Sequence, residues 1–376
     1  MKYSLPVFIF SIFIISCTTQ KAITVTDQPQ LKLIGQYDVP HNQVFQNTTI
    51  GGLSGIDYDS ENDIYYLISD DRSSTNPARF YTAKIFLSEK AIDSVQFILV
   101  KNLLRPGGTI YPNTKQDPFH TPDPEAIRLN KKTNQLVWSS EGERMIKNDT
   151  ILLRDPSVNI ISLDGNHIDS FIVPSNMQMQ SVQKGPRHNG TFEGMCFTAD
   201  YSKLFVSLEE PLFEDGPRAG LNDSSAWVRI IQFDVRSRKP EKQYAYKIDP
   251  VAYAAIPPGA FKINGVTDIL AINDNQLMVM ERSFSTGRKP CTIKIYLAEP
   301  KNAPDVYGIQ SLGSETVKFT GKKLLLNMDD LGIYTDNIEG MTLGPKLPNG
   351  RQTLIFVADN NFSKDQVTQF LLFEIL

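Results

Sequence analysis

The sequence predicts an all-β protein, a β-propeller of five four-stranded blades closed by its own N-terminal strand. The first observation behind this is a repeat. Five segments share one pattern, beginning LSGIDYD at Leu53, PEAIRLN at Pro124, FEGMCFT at Phe192, VTDILAI at Val266 and IEGMTLG at Ile338. Their second residues, Ser54, Glu125, Glu193, Thr267 and Glu339, are spaced by 71, 68, 74 and 72 residues, a steady period. The second observation lies just downstream of each segment. A polar turn leads to the runs IYYLISDDR, QLVWSSEGER, KLFVSLEEP, QLMVMER and TLIFVADNN. Further runs rich in β-branched and aromatic residues come next, so each repeat reads as four antiparallel strands, one propeller blade. The third observation concerns closure. The last repeat has only VTQFLLFEIL left for its outer strands, while residues 31–40 form an unpaired strand ahead of the first repeat. Placing 31–40 as the outer strand of the last blade removes two exposed edges. Six blades, with one poorly marked blade inside a long loop, is the alternative.

Taken in chain order, residues 1–16 read as a signal peptide. Lys2 supplies the positive start and residues 5–15 form an apolar run too short to span a membrane, which needs about 20 residues. The run ends in Ile14-Ile15-Ser16-Cys17, which resembles a bacterial lipobox with Cys17 as the lipidated residue. Residues 17–29 then form a lipidated Cys and polar tether, and residues 30–376 the single propeller domain. This predicts a protein anchored by lipid to the bacterial cell envelope, periplasmic or outer-membrane, without a spanning helix.

Hydrophobic residues make up 41% of the chain and charged residues 21%, which suits a large core and argues against bulk disorder. The formal net charge of -4 gives no basic patch for nucleic acid. A monomer is expected. Besides Cys17 the only cysteines are Cys196 and Cys291, which fall in different blades and read as unpaired core residues. Trp138 and Trp227 fall within strands and read as packing.

The first strand of a blade lies next to the axis and pairs antiparallel with the second, so the start of one sits beside the end of the other. Acids at these two places therefore gather at one mouth of the channel. At the start of strand one are Glu125, Glu193 and Glu339, with Ser54 and Thr267 in the other blades and Asp268 following Thr267. At the end of strand two are Asp70, Glu141, Glu209, Glu281 and Asp359, with Asp71 and Glu210 following in two cases. Such a concentration of carboxylates must bind cations, pair with bases or take up protons. Oxygen-only ligation suits calcium, so Asp70, Glu141, Glu209, Glu281, Glu339 and Asp359 are candidate metal ligands. Arg72, Arg144 and Arg282 follow the strand-two acids closely. His120 and His188 each precede a strand-one Glu by five residues, and Arg187 lies beside His188. Glu125, Glu193, His120, His188, Arg72, Arg144 and Arg282 are thus the candidate catalytic set for an anionic ester, the arginines clamping oxygens and a His or Glu handling protons. The same acids can instead be struts that accept backbone N–H groups from the next blade. No Gly-x-Ser-x-Gly elbow occurs, which leaves a hydrolase serine mechanism unsupported. The long connections 103–124, 177–191 and 211–225 are expected to open on the acidic rim.

The blocks GGLSGIDYD, YYLISDDR, DPEAIRL, SSEGER, FEGMCFTADYSKLFVSLEEPL, GVTDILAI, LMVMERSF, NIEGMTLGP and VADNNF, in this order from Gly51 onward, resemble the phytase-like family, described as esterase-like activity of phytase. The resemblance implies a secreted or envelope-located bacterial propeller that hydrolyses phosphate or other esters. The residues it carries over are Asp70, Asp71, Arg72, Glu125, Glu141, Arg144, Glu193, Glu209, Glu281, Arg282, Glu339 and Asp359. The calcium motifs of calcium-dependent propeller phytases are not recognisable in this chain. The expected function is therefore a calcium-assisted, envelope-anchored ester hydrolase acting on a small anionic ester. A propeller lactonase and a non-catalytic ligand- or partner-binding scaffold are the rivals.

Overall fold

A computed structural model of the chain describes residues 29–147, 150–222, 225–313, 318 and 320–376, so the signal segment and Cys17 lie outside the described residues. The chain opens with strand β1 (Leu31–Val39) and a small hairpin, β2 (Val44–Phe45) and β3 (Thr48–Thr49). Blade 1 follows as β4 (Leu53–Asp59), β5 (Ile64–Ser69), β6 (Arg79–Leu87) and β7 (Ile92–Asn102). Blade 2 consists of β8 (Pro124–Asn130), β9 (Gln135–Ser140), β12 (Ser157–Ser162) and β13 (His167–Ser170). A hairpin of β10 (Glu143–Lys147) and β11 (Thr150–Arg154) is inserted between its second and third strands. Blade 3 is β14 (Phe192–Phe197), β15 (Lys203–Leu208), β16 (Trp227–Asp234) and β17 (Lys239–Lys247). Blade 4 is β18 (Lys262–Ala271), β19 (Leu277–Ser285), β20 (Thr292–Ala298) and β21 (Lys322–Asn327). Blade 5 is β22 (Asn337–Lys346), β23 (Gln352–Asp359) and β24 (Thr368–Ile375), with β1 as its outer strand.

The expected five-bladed propeller and its closure are thus observed. β1 runs antiparallel to β24 from Leu31 opposite Ile375 to Val39 opposite Thr368, so the two ends of the chain share one sheet. The first strands β4, β8, β14, β18 and β22 touch one another in sequence around the axis, and β22 returns to β4. The inserted hairpin β10–β11 is not expected from the repeat. The run SSEGER bends at Gly142, whose φ of 83° puts it in the left-handed region, and Glu143 then begins a new strand.

Apolar side chains alternate along each strand and fill the spaces between neighbouring sheets. Tyr66, Ile68, Ile127 and Trp138 pack between blades 1 and 2, and Met280, Ile293, Met341 and Phe356 between blades 4 and 5. Cys196 and Cys291 are free, buried and in different clusters, as expected.

At the axis the sheets come very close. A Cβ on Gly55 would meet the Glu125 carbonyl at 2.7 Å, and one on Gly194 would meet the Asp268 Cα at 2.6 Å. Glycine at these two places is what lets the first strands of adjacent blades touch.

Candidate active site

Each first strand carries a β-bulge at the same point. The register slips between Leu53 and Gly55, Pro124 and Ile127, Phe192 and Met195, Val266 and Asp268, and Ile338 and Gly340. The slips fall at Ser54, Glu125, Glu193, Thr267 and Glu339, the equivalent positions of the repeat. A bulge re-aims a side chain, and here it accompanies the turn of the repeat residue toward the mouth. Glu125, Glu193 and Glu339 line one cavity of about 580 Å³ together with Asp70, Glu209, Arg282 and Asp359. Ser54 instead donates to the Glu125 carbonyl at 2.7 Å, and the buried Thr267 hydroxyl meets no partner among the described residues.

Carboxylate oxygens of Asp70, Asp123 and Glu125 lie within 4.8 Å of one another, and so do oxygens of Glu125, Glu141 and Glu193. Glu125 is the shared corner of the two groups. Burial raises the pKa of Glu125 well above the usual carboxylate range, with Asp70 and Glu193 adding to it. Burial and then Glu141 and Glu209 do the same to Glu193, and burial followed by Asp123 and Asp359 does so to Asp70. Among the described residues no hydrogen-bond donor reaches the Glu125 or Glu193 carboxylate. Two close, oxygen-only groups that meet at one glutamate facing the cavity fit a hard divalent cation.

Two arginines interrupt the acids. Arg282 is half-buried between blades, donating to Glu209 at 2.7 Å and to Glu339 at 2.5 Å, and also bonding Asn337; its Nε–H has no acceptor among the described residues. Arg72 bonds Asp123 through Nε at 2.6 Å and pairs with it again through Nη2. It also reaches Glu143 at 3.2 Å and the Asn189 side chain at 2.6 Å. Glu143 in turn holds His188 Nδ1 at 2.8 Å. Burial alone would raise Glu143, but His188 and Arg72 keep it below the ordinary value. The mouth thus has a chain Asp123–Arg72–Glu143–His188, which fixes the imidazole through Nδ1.

A single side chain bridges the blades at the axis. Arg128, buried on β8, donates to Met195 O at 2.5 Å in blade 3, Ile56 O at 2.6 Å in blade 1 and Ile127 O at 2.9 Å in its own blade. In blade 4 it meets both Asp268 oxygens at 2.7 Å, and in blade 5 it approaches Met341 O at 3.5 Å. One guanidinium therefore reaches all five blades and lies beneath the acidic mouth.

The phytase-like family, described as esterase-like activity of phytase, matches residues 48–362. The chain belongs to the phytase-like family. No curated protein sequence matches it. Similar solved structures include an endo-arabinase from Bacteroides thetaiotaomicron, at 13% identity and a TM-score of 0.44, covering 87% of this chain and 94% of that one. Another is a periplasmic gluconolactonase from Pseudomonas aeruginosa, at 12% identity and a TM-score of 0.35, covering 87% and 86%. An α-L-arabinofuranosidase from Lactobacillus brevis is similar at 8% identity and a TM-score of 0.44, covering 86% and 91%.

In this phytase-like chain the expected residues separate into two groups. The structure brings Asp70, Glu125, Glu141, Glu193, Glu209, Glu339, Asp359, Arg72, Arg282 and His188 together at the mouth. Glu281 is elsewhere. Val266 pairs with Glu281 and Gly265 with Arg282, so Arg282 holds the place that Glu209 holds in blade 3, where Phe192 pairs with Leu208. Glu281 points instead between the sheets. It accepts from Tyr246 at 2.7 Å, the Asp249 amide at 2.8 Å, Asn264 at 2.9 Å and Lys322 at 2.6 Å. Every one of these contacts is a packing contact, so it is a strut and not a metal ligand at the mouth.

Arg144 leaves the mouth with the inserted hairpin. It donates to the Gln180 and Val182 carbonyls and lies 4.8 Å from the Phe213 ring, whose other contact is Arg187 at 4.4 Å. Both arginines clamp loops. His120 pairs with Asp117 at 2.6 Å in an outer pocket with Tyr111 and Trp138, because the 103–124 connection folds over blade 2 and only its end, Asp123, reaches the acids. Asp71 is tied to Arg79 at 2.7 Å and caps its own loop. Loops 177–191 and 211–225 do open on the mouth, through His188 with Asn189 and through Arg218. Unforeseen members are Asp123, Glu143 and Arg128. Asp123 carried a signal, as the acid of DPE directly before a strand-one glutamate.

Proposed function

We propose that the mouth hydrolyses small anionic esters, phosphate or carboxylic, with calcium held by Asp70, Asp123, Glu125, Glu141 and Glu193. The observation that carries this is the pair of carboxylate groups that share Glu125 on the lining of an open cavity. Membership in the phytase-like family supports ester chemistry. A bound calcium would polarise an ester oxygen and offset the gathered negative charge. The chain's own groups have separate tasks. Arg282 locks Glu209 and Glu339 in place, so the wall beside the cluster does not rearrange when substrate enters. Glu143 sets the His188 ring and leaves its second nitrogen to take or give a proton at the cavity edge. Arg72 holds Asp123 and Glu143 at a fixed spacing and so couples the two. We further propose that Cys17 carries the lipid that tethers the enzyme to the cell envelope.

The test is calcium titration by calorimetry, with turnover of 4-nitrophenyl phosphate and 4-nitrophenyl acetate measured with and without a chelator. Wild type should bind saturably, and Glu125→Gln and Glu193→Gln should each weaken binding by about tenfold or more, the loss of one charged ligand. Since neither carboxylate accepts a hydrogen bond, the metal-free variants should unfold at the same temperature as wild type or higher. No calcium binding, with both variants destabilised, would mean the acids are struts and would sink the proposal.

A further inference from the structure

We propose that the inner hairpin of blade 4 is a subsite for the apolar part of the substrate, so that the preferred ester carries one anionic group on an aryl or compact alkyl body and is not a polyphosphate. This rests on the hydrolase reading of the mouth.

In four blades the innermost strand starts within two residues of the equivalent repeat position: β4 at Leu53, β8 at Pro124, β14 at Phe192 and β22 at Asn337. In blade 4 it starts at Lys262, five residues ahead of Thr267, and β19 continues to Ser285, past Arg282. The hairpin therefore stands above the ring of acids as a raised wall. Ile263 pairs with Phe284 and Gly265 with Arg282. Because side chains on a strand share a face at every second residue, Phe284 and Arg282 look the same way, into the cavity.

The wall is apolar where it rises. Phe261, Ile263, Phe284 and Tyr334 all line the cavity that holds the acids, and the Phe261 and Phe284 rings are 6.1 Å apart. Phe261 remains 55% exposed. An exposed aromatic shelf beside a polar floor is the usual make-up of a small-molecule site, where apolar surface supplies affinity and a few polar groups fix orientation. The volume of about 580 Å³ leaves ample room for one ring and its ester group.

Charge narrows the occupant further. Of the cations on the lining, Arg282 is spent on Glu209 and Glu339, Arg218 on Glu210 and Arg288 on Asp329. Lys289 is exposed and has no partner among the described residues. A single free cation with a metal on the acids matches one anionic group. A polyanion would face Asp336, Glu339, Asp359 and Asp365 on the same lining without enough counter-charge.

The experiment is calorimetric binding of two non-hydrolysable probes, phenylphosphonate and methylphosphonate, to the protein with calcium present at pH 7. Burying one ring predicts that phenylphosphonate binds about tenfold tighter than methylphosphonate. Phe261→Ala, at an exposed position, should reduce that ratio to about threefold or less and leave methylphosphonate affinity unchanged. Inositol hexakisphosphate should bind no tighter than methylphosphonate. Equal affinity for the two phosphonates in wild type, or a ratio that survives in both Phe261→Ala and Phe284→Ala, overturns the subsite and leaves the hydrolase reading standing. Failure of both phosphonates to bind would remove the hydrolase reading and the subsite together.

Discussion

Arg128 of blade 2 meets both carboxylate oxygens of Asp268 of blade 4 at 2.7 Å across the propeller axis, and both side chains are buried. Asp268 also accepts the Met341 amide of blade 5 at 2.8 Å, so the pair ties together sheets that share no strand. Burial lifts the Asp268 pKa to about 6 despite the opposing pull of Arg128, so the pair is charged at neutral pH. Removing one member leaves the other buried without its counter-charge. Arg128→Met should therefore cost about 3–5 kcal/mol of unfolding free energy. The double variant Arg128→Met with Asp268→Asn should cost less than the two single changes added together, by about 1 kcal/mol or more. Denaturant unfolding of the four proteins measures this. A cost below about 1 kcal/mol for Arg128→Met would show that the blades do not depend on the axial arginine.

Much of this arrangement is legible in the sequence, and the limits have physical causes. The five repeats and the completion of blade 5 by residues 31–40 follow from strand patterning and from the need to hide edges. The mouth acids follow from antiparallel pairing alone. The error at Glu281 comes from aligning repeats by charge. Aligning Leu277 and Val279 with Leu204 and Val206 places Arg282 beside Glu209, and a one-residue slip turns a strand side chain to the opposite face. Arg128 sits in the apolar run PEAIRLN, and its reach to five blades depends on how closely the strands approach at Gly55, Gly194 and Gly340. Nothing local to the sequence gives that distance. His120 and His188 have the same spacing from their glutamates, yet only the second belongs to the mouth, because loops carry no repeat register.

Glu281 offers a direct contrast with the mouth acids. Its four partners include the Lys322 ammonium at 2.6 Å and the Tyr246 hydroxyl at 2.7 Å, both from strands away from the axis. Glu281→Gln should destabilise the protein by about 1–3 kcal/mol, the cost of disrupting buried charge-assisted bonds. Calcium affinity should stay within about twofold of wild type, since the residue lies outside the proposed ligand set. Thermal unfolding and calcium titration of one sample give both values. A loss of calcium affinity comparable to that of Glu125→Gln would place Glu281 back among the ligands.

The final prediction concerns pH and rests on Glu210. Burial, followed by the neighbouring Glu209, raises its pKa from 4.5 to about 7, with Arg218 pulling it down. The folded protein thus holds this proton more tightly than the unfolded chain does. Stability from this group is fully present below about pH 4.5 and is lost as pH rises toward 7, because over that window the native state binds the extra proton. Conventional carboxylates elsewhere act in the opposite direction, so the comparison must be between variants. Glu210→Gln cannot ionise, and the difference in melting temperature between it and wild type should move in favour of the variant as pH is raised from 5 to 7. Arg218 loses its ionised partner in that variant, which makes the trend with pH the informative quantity and not the value at one pH. A difference that stays flat across the window would mean that Glu210 titrates at its ordinary value and is ionised against Arg218 throughout.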